Sequence, residues 1–378
     1  VERFEGLGVT VVKAEARFED GRVVVASTVD AGDMRIRARR FVIATGSSPM
    51  IPPIPGIADV PYFTNETIFD NTLPLDHLIV IGGGPIGVEL AQAHRHLGCR
   101  VTIIEMASLL ASDDPELADI VRQRLRRDGI DIHEAARITG LAVRDGGIDA
   151  SLDADGGKLT VSGSHLLVAA GRAANVDGLG LERAGIEFSP AGIEVDPRLR
   201  TTNRRVFAIG DAAAGYRFTH IAGYHAGIVI RNALFRLPAR VDYRAVPWVT
   251  YTSPELAQVG MTEAAARKVH GDIRVLRAPF ADNDRATAER EIDGLVKVIT
   301  TRRGVVVGAA MVGANAGEVI QGWCLPIARG MKIKHMAGLI LPYPTLGEVN
   351  KRAAGSYFTP QLFSDRTRWI VRLLARLG

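Results

Sequence analysis

Cysteine is scarce in this sequence. Cys99 and Cys324 are the only two in 378 residues, far apart and at no metal-ligand spacing. That excludes a disulfide framework and any cysteine-based metal site, and no other metal cluster is expected. It points to a reducing, cytoplasmic setting in which both thiols are structural. Long apolar runs are lacking too. None reaches the roughly 18 residues of a membrane span, and no secretory leader is visible. Nor is there a strong excess of one charge. The 46 basic and 42 acidic residues leave +4, spread along the chain, which argues against a nucleic-acid surface. A content of 47% hydrophobic and 23% charged residues excludes a disordered chain, and the length suggests two or three domains.

Glycine, by contrast, is abundant, and in one place it is informative. Leu78-Ile79-Val80-Ile81 reads as a buried strand, and Gly82-Gly83-Gly84-Pro85-Ile86-Gly87 as a glycine-rich turn. Val88-Glu89 continues a helix to about Leu97, with Gly98 as its C-cap. Gly82, Gly84 and Gly87 form G-x-G-x-x-G. The first allows a tight turn, the second lets the backbone approach a pyrophosphate, and the third permits close helix–strand packing. The anion would sit on free N–H groups at the positive end of the helix dipole. The next strand, Arg100–Ile104, ends at Glu105, eighteen residues beyond Gly87. A carboxylate there can bind the adenosine ribose hydroxyls of NAD and repels the 2′-phosphate of NADP. Positions 106–112 offer no arginine to receive that phosphate.

Elsewhere, residues 9–18 and 22–29 alternate as two strands joined at Asp20-Gly21, and Arg40–Ala44 is a buried strand running into Thr45-Gly46-Ser47. Pro49, Pro52, Pro53 and Pro55 mark an extended linker. Asp113 and Asp114 can cap a helix that starts at Pro115 and stops before Gly129. Strands are expected at Ile130–His133, at His165–Ala170 before Gly171-Arg172, and at Arg205–Ile209 before Gly210-Asp211. A helix should run from about Ile221 to Leu234. Beyond Pro247, Arg274–Pro279, Leu295–Thr300 and Val305–Val312 read as antiparallel strands, with helices near 315–329 and 332–339. The tail Arg366–Leu377 carries Arg368, Arg372 and Arg376 on one helical face and Trp369, Leu373 and Leu377 on another. It suits a membrane surface, though docking on a second copy of the chain is favoured.

Ala44-Thr45-Gly46-Ser47, Gly82–Glu89, Ala170-Gly171-Arg172, Ala208-Ile209-Gly210-Asp211, Phe218-Thr219-His220 and Tyr343-Pro344-Thr345-Leu346-Gly347-Glu348 occur in this order. As a set covering nearly all of the chain, they resemble the pyridine nucleotide–disulfide oxidoreductases, the family of dihydrolipoamide dehydrogenase, glutathione reductase and mercuric reductase. The resemblance implies an α/β fold of Rossmann-like FAD- and NAD-binding domains followed by an α+β dimerisation domain. Its boundaries are a partial FAD domain at 1–57, an NAD domain at 58–172, a return to the FAD domain at 173–244 and the dimerisation domain at 245–378. The family begins with an FAD fingerprint and a redox-active Cys-x4-Cys pair. Neither is in this sequence, which opens at Val1 in mid-pattern, so about a hundred upstream residues are expected. The one fingerprint follows Ala44–Gly46 and precedes Gly210-Asp211, which is the family's NAD arrangement.

By the same resemblance, Thr45, Gly46 and Ser47 would lie along the adenosine side of FAD. Gly210 and Asp211 would meet a flavin-side hydroxyl, and His220 would border the flavin. Glu89 would stand near the nicotinamide, and Gly171 would admit its close approach. Each has a plainer alternative: a turn for Thr45–Ser47, a helix cap for Asp211, a core or capping histidine for His220, and a solvated helix residue for Glu89. Tyr343 replaces the family's usual catalytic histidine, with Glu348 retained to orient it. A phenol is a poor proton acceptor at neutral pH. Tyrosine here resembles mercuric reductase, yet no cysteine follows Cys324 to form that enzyme's terminal pair, which argues against mercury. A core or interface tyrosine is the alternative. The expected protein is a homodimeric oxidoreductase passing electrons from NADH through FAD and, in the complete protein, a cysteine pair to a disulfide, metal-ion or quinone-like acceptor. The rivals are a non-catalytic NAD-binding, dimerising module and a flavin-free Rossmann dehydrogenase.

Overall fold

The computed structural model describes residues 1–376 except Ala31 and Asp155. Two compact units emerge, each built from two stretches of chain: Val1–Met50 with Arg172–Asp242, and Ile51–Gly171 with Tyr243–Gly378.

In the first unit, three antiparallel strands, Glu15–Asp20, Val23–Thr28 and Gly32–Arg37, form a meander. The expected hairpin turns where Asp20 Oδ1 accepts from the backbone N–H groups of Arg22 and Val23 at 2.6 and 2.9 Å, an Asx turn. The first strand begins at Glu15, not at residue 9, and the third strand was not foreseen because its residues are mostly exposed and alternate weakly. Phe41–Ile43 pairs in parallel with Val206–Ala208, and Ser47–Pro49 pairs antiparallel with Arg172–Ala174. Ile43, Leu181, Val206 and Ala208 make the core. Helix Thr219–Ala233 follows, two residues earlier than expected.

The second unit holds a parallel sheet in the order His165–Val168, His77–Ile81, Arg100–Ile104, Asp131–His133. Its central strands are continuous apolar runs because both faces are covered, one by helices and the other by an antiparallel meander. Helix Pro85–His96 returns after the first strand. Helix Pro115–Arg127 is capped by Asp114, whose side chain accepts from Glu116 N at 3.1 Å. A three-stranded meander, Arg137–Arg144, Gly147–Ala154 and Gly157–Gly163, is inserted before the last parallel strand and had no clear sequence signal.

A five-stranded antiparallel sheet follows, ordered Pro247–Thr250, Glu255–Gly260, Val306–Gly313, Leu295–Thr301, Ile273–Pro279. The helix expected at 315–329 is two pieces, Ala316–Val319 and Gln321–Ala328. They meet at buried Ile320, whose carbonyl accepts from Trp323 N at 2.9 Å, a tight i→i+3 turn in place of a continuous ladder. The helix expected at 332–339 is confined to Ile333–Ala337. The last helix spans Asp365–Leu374, with Ser364 as its cap, and Leu377 lies outside the described residues. Among the described residues, no helix is long and apolar enough to cross a membrane.

The register aligns Trp248, Gln258, Ala310, Lys297 and Arg277 in one row across this sheet. The row meets the acidic start of helix Pro115–Arg127. Trp248 Nε1 donates to Asp113 Oδ1 at 2.9 Å, Lys297 Nζ to Asp114 Oδ2 at 2.8 Å, and Arg277 Nη2 to Glu116 Oε2 at 2.8 Å. The sheet thereby holds the helix that follows the 105–112 loop.

Candidate functional site

A cavity of about 390 Å³ opens at the carboxyl ends of the parallel strands, lined by Gly82, Gly84, Glu105, Ala170 and Gly171 with apolar walls from Ile54, Ile104 and Ile138. This is where a doubly wound sheet binds ligands. The three fingerprint glycines differ physically. Gly82 has φ +109°, and a Cβ there would lie 2.4 Å from the Ala169 carbonyl oxygen. A Cβ on Gly87 would lie 2.0 Å from the Gly82 oxygen, so the helix crosses the strand end at a distance only glycine permits. A Cβ on Gly84 would meet nothing within 4 Å; its backbone faces open space at the start of helix Pro85–His96. Gly83 is fixed by its neighbours, since a Cβ would sit 2.2 Å from the Leu109 side chain.

Glu105 joins this turn to the next strand. Its Oε2 accepts from Gly83 N at 2.7 Å and its Oε1 from Ala107 N at 2.8 Å. The carboxylate is therefore held at the cavity edge. Glu134 was missed. It directly follows strand Asp131–His133 just as Glu105 follows its own strand, and that parallel was the available signal. Glu134 Oε1 accepts from Leu109 N at 2.8 Å while Arg122 pairs with it at 2.9 Å, so it braces the loop beside Glu105.

An open glycine backbone, a helix start and a fixed carboxylate fit a dinucleotide with an unmodified ribose. Gly171, at φ +117°, lines the same cavity. Glu89 does not line it. Half-buried rather than solvated, it accepts from Tyr251 N at 2.7 Å. Burial raises its pKa above the usual carboxylate range, with that hydrogen bond opposing the shift.

The first unit brings together the residues expected on the flavin side. Ser47 Oγ donates to Asp211 Oδ2 at 2.7 Å and accepts from Arg172 Nε at 2.7 Å. Thr45 Oγ1 donates to the Asn175 carbonyl at 2.7 Å, and Asn175 Nδ2 returns a bond to the Thr45 carbonyl at 2.9 Å. Arg172 and Asn175 were missed as site residues; two polar residues three apart just after a strand-ending glycine could have drawn attention. Gly46 has φ +72°, with open space where a Cβ would point. Gly210, at φ +60°, donates its N–H to Nδ1 of buried His225 at 3.1 Å. Burial lowers the pKa of His225, which suits a neutral accepting ring. Asp211 keeps acceptor capacity beyond its bond to Ser47, as a ligand hydroxyl requires. His220 is exposed in the first turn of its helix and stacks on Phe218 at 5.2 Å, so it is not a core histidine.

Tyr343 is 69% exposed, which corrects the reading of it as a core tyrosine. Its hydroxyl donates to Asp284 Oδ2 at 2.7 Å, and that bond raises the phenol's pKa. Glu348 begins helix Glu348–Ser356, and its Oε2 accepts from Thr345 N at 3.4 Å, within its own turn rather than at the phenol. Asp284 was not anticipated, because it lies 59 residues from Tyr343 in sequence. Cys99 is buried and Cys324 half-buried. Burial pushes both thiols up, away from thiolate character.

A family model described as pyridine nucleotide-disulphide oxidoreductase matches residues 5–226, and one for the dimerisation domain of that family matches residues 246–354. A mercuric reductase from Streptomyces lividans is 36% identical over 354 residues, covering 93% of this chain and 74% of its own length. A dihydrolipoyl dehydrogenase from Geobacillus stearothermophilus is 36% identical over 360 residues, with the same shares, 93% and 74%. Among solved structures, the HOCl-induced flavoprotein disulfide reductase RclA from Escherichia coli superposes with a TM-score of 0.85 at 28% identity, covering 94% of this chain and 82% of that one. LpdA from Mycobacterium tuberculosis gives a TM-score of 0.85 at 26% identity, with 94% and 79% covered.

Proposed function

The chain belongs to the pyridine nucleotide–disulphide oxidoreductase family and is an FAD-dependent oxidoreductase, and from that premise we propose that it draws its electrons from NADH at the Gly82–Gly87 cleft. The observation that carries the choice of donor is the Glu105 carboxylate. Two backbone N–H groups fix it at the cavity edge, where it meets ribose hydroxyls and repels a 2′-phosphate. Gly84 receives the pyrophosphate, and Gly171 lets the nicotinamide half lie close to the backbone. Membership in the family sets aside the flavin-free dehydrogenase.

The domain reading is a partial FAD domain at 1–57, an NAD domain at 58–172, a return segment at 173–244 and a dimerisation domain at 245–378. Thr45, Gly46, Ser47, Gly210 and Asp211 orient the flavin dinucleotide, with His220 at its border and Glu89 on the nicotinamide side. Bound FAD supplies the electron chemistry, and the protein contributes binding, orientation and electrostatics. The chain acts as a homodimer in a reducing, cytoplasmic setting, a reading supported by its dimerisation domain and its two unpaired thiols.

The acceptor is a disulfide, a metal ion or a quinone-like molecule that makes no demand for a strong base at position 343. A phenol that donates to Asp284 keeps its proton at neutral pH, so Tyr343 serves as a hydrogen-bond donor. Steady-state kcat/KM of the flavin-loaded enzyme for NADH and NADPH, with a dye acceptor, tests the donor assignment. A preference for NADPH overturns it.

A further inference from the structure

Helix Asp365–Leu374 buries none of its residues. Trp369 is 63% exposed, Val371 and Leu374 are each 58% exposed, and Leu362 and Phe363 just before the helix are open as well. At about 100° per residue over Asp365–Leu374, Trp369, Leu373, Ile370 and Leu374 share one broad arc, which Arg366 also enters, while Arg368 and Arg372 lie on the other side and Arg376 follows the helix end. Arg366 projects beside Ile370 at the helix start, over a groove against the body of the second unit. Asp365 is the only acid in residues 365–376.

A helix held at one end and apolar along its length needs a cover. A second copy of the same helix is a poor one. In a two-fold contact the apolar arcs could cover each other, but Arg366, Arg368, Arg372 and Arg376 of each copy would crowd around the seam with only Asp365 to offset them. The arrangement of a tryptophan and leucines on one side and arginines on the other matches an interface that is apolar inside and anionic at its rim.

We propose that this helix docks the protein on an anionic lipid bilayer. It lies in the plane of the surface with Trp369, Leu373 and Leu374 in the acyl boundary and Arg368, Arg372 and Arg376 among the phosphates. This inference goes beyond the redox reading and does not depend on it, since neither nucleotide nor flavin takes part.

The test is co-sedimentation of the full chain with vesicles of phosphatidylcholine containing phosphatidylglycerol, against vesicles of phosphatidylcholine alone. Binding should require the anionic lipid and weaken with salt. It should fall on the order of a hundredfold in the triple variant Arg368→Gln, Arg372→Gln, Arg376→Gln, at about a factor of five per charge lost. Trp369 emission should shift to the blue on the anionic vesicles, and the shift should vanish in Trp369→Phe, which retains Trp248 and Trp323. Equal binding to both vesicle types, or none to either, overturns the proposal. So does a change of oligomeric mass in the triple variant, which would assign the helix to a contact between copies.

Discussion

Lys297 Nζ lies 2.8 Å from Asp114 Oδ2, and both side chains are nearly sealed from solvent, at 5% and 4% exposure. Glu263 and Glu116 complete the surroundings of the ammonium at 2.9 and 3.1 Å. Burial pulls the Lys297 pKa down, but hydrogen bonds to the three carboxylates outweigh it and hold the group above its ordinary value. Removing one partner from a buried pair leaves the other charge stranded. Lys297→Met should therefore destabilise the protein by about 3–5 kcal/mol in urea unfolding, and adding Asp114→Asn should recover part of the loss. An unchanged midpoint in Lys297→Met would mean that the cluster is solvated.

The same cluster sets an acid limit. Hydrogen bonding to Arg277 first, and then Lys297, holds Glu116 down to about 2. A carboxylate depressed in the folded state adds stability above its unfolded pKa and loses it as pH falls through the folded value. Stability should thus be level above about pH 4.5 and decline between there and about pH 2. Unfolding midpoints across that range should decline less steeply in Glu116→Gln than in the wild type.

The fingerprint glycines should separate by their failures. Gly87→Ala drives a methyl into the Gly82 carbonyl and should cost about 1–3 kcal/mol or more of stability. Gly84→Ala meets open space and should unfold at the wild-type midpoint while losing NADH affinity. Thermal unfolding beside a fluorescence titration with NADH reads both, and equal behaviour of the two variants would contradict the division of labour.

Glu105→Ala removes the proposed ribose partner together with the clamp on Gly83 and Ala107. The NADH kcat/KM should fall by about tenfold or more, as loss of a charge-assisted hydrogen bond implies. The NADPH value should fall less or rise, narrowing the gap between them. A gap that stays as wide would take Glu105 out of the selection.

Tyr343 carries the prediction about the acceptor. With a phenol donating to Asp284, the complete enzyme, carrying the family's cysteine pair as well as flavin, should oxidise dihydrolipoamide slowly while reducing quinones, dyes or metal ions with NADH. Tyr343→His should raise the dithiol rate if Glu348 turns toward the new ring. Tyr343→Phe should slow the acceptor half-reaction more than flavin reduction, as stopped-flow absorbance distinguishes. Rapid dihydrolipoamide turnover unchanged by Tyr343→Phe would remove the phenol from the mechanism.

What could be read in the sequence was local. The strand, turn and helix from Leu78 to His96 announce themselves because hydrophobic run, glycine spacing and cap fall within twenty residues. Asp114, Pro115 and Gly129 bracket their helix for the same reason. What escaped notice depends on distant partners. A lysine inside Leu295–Thr301 looks like a solvated strand position until the register places it opposite an acidic helix start. Asn175 meets Thr45 across 130 residues, and Asp284 reaches Tyr343 across 59. The meander from Arg137 to Gly163 mixes glycine, charge and short apolar pairs, so its alternation is too weak to stand out.

The parallel pairing of Phe41–Ile43 with Val206–Ala208 has a consequence for how the chain is made. About 160 residues separate the two strands. At bacterial-like elongation speeds of about 5–20 residues per second, the first strand waits roughly ten to thirty seconds for its partner to leave the ribosome. All of Ile51–Gly171 emerges in that interval, so the nucleotide cleft can close while the flavin-side unit is still half a sheet. Birth order thus lets the Gly82–Gly87 cleft form before the sheet of the first unit is complete.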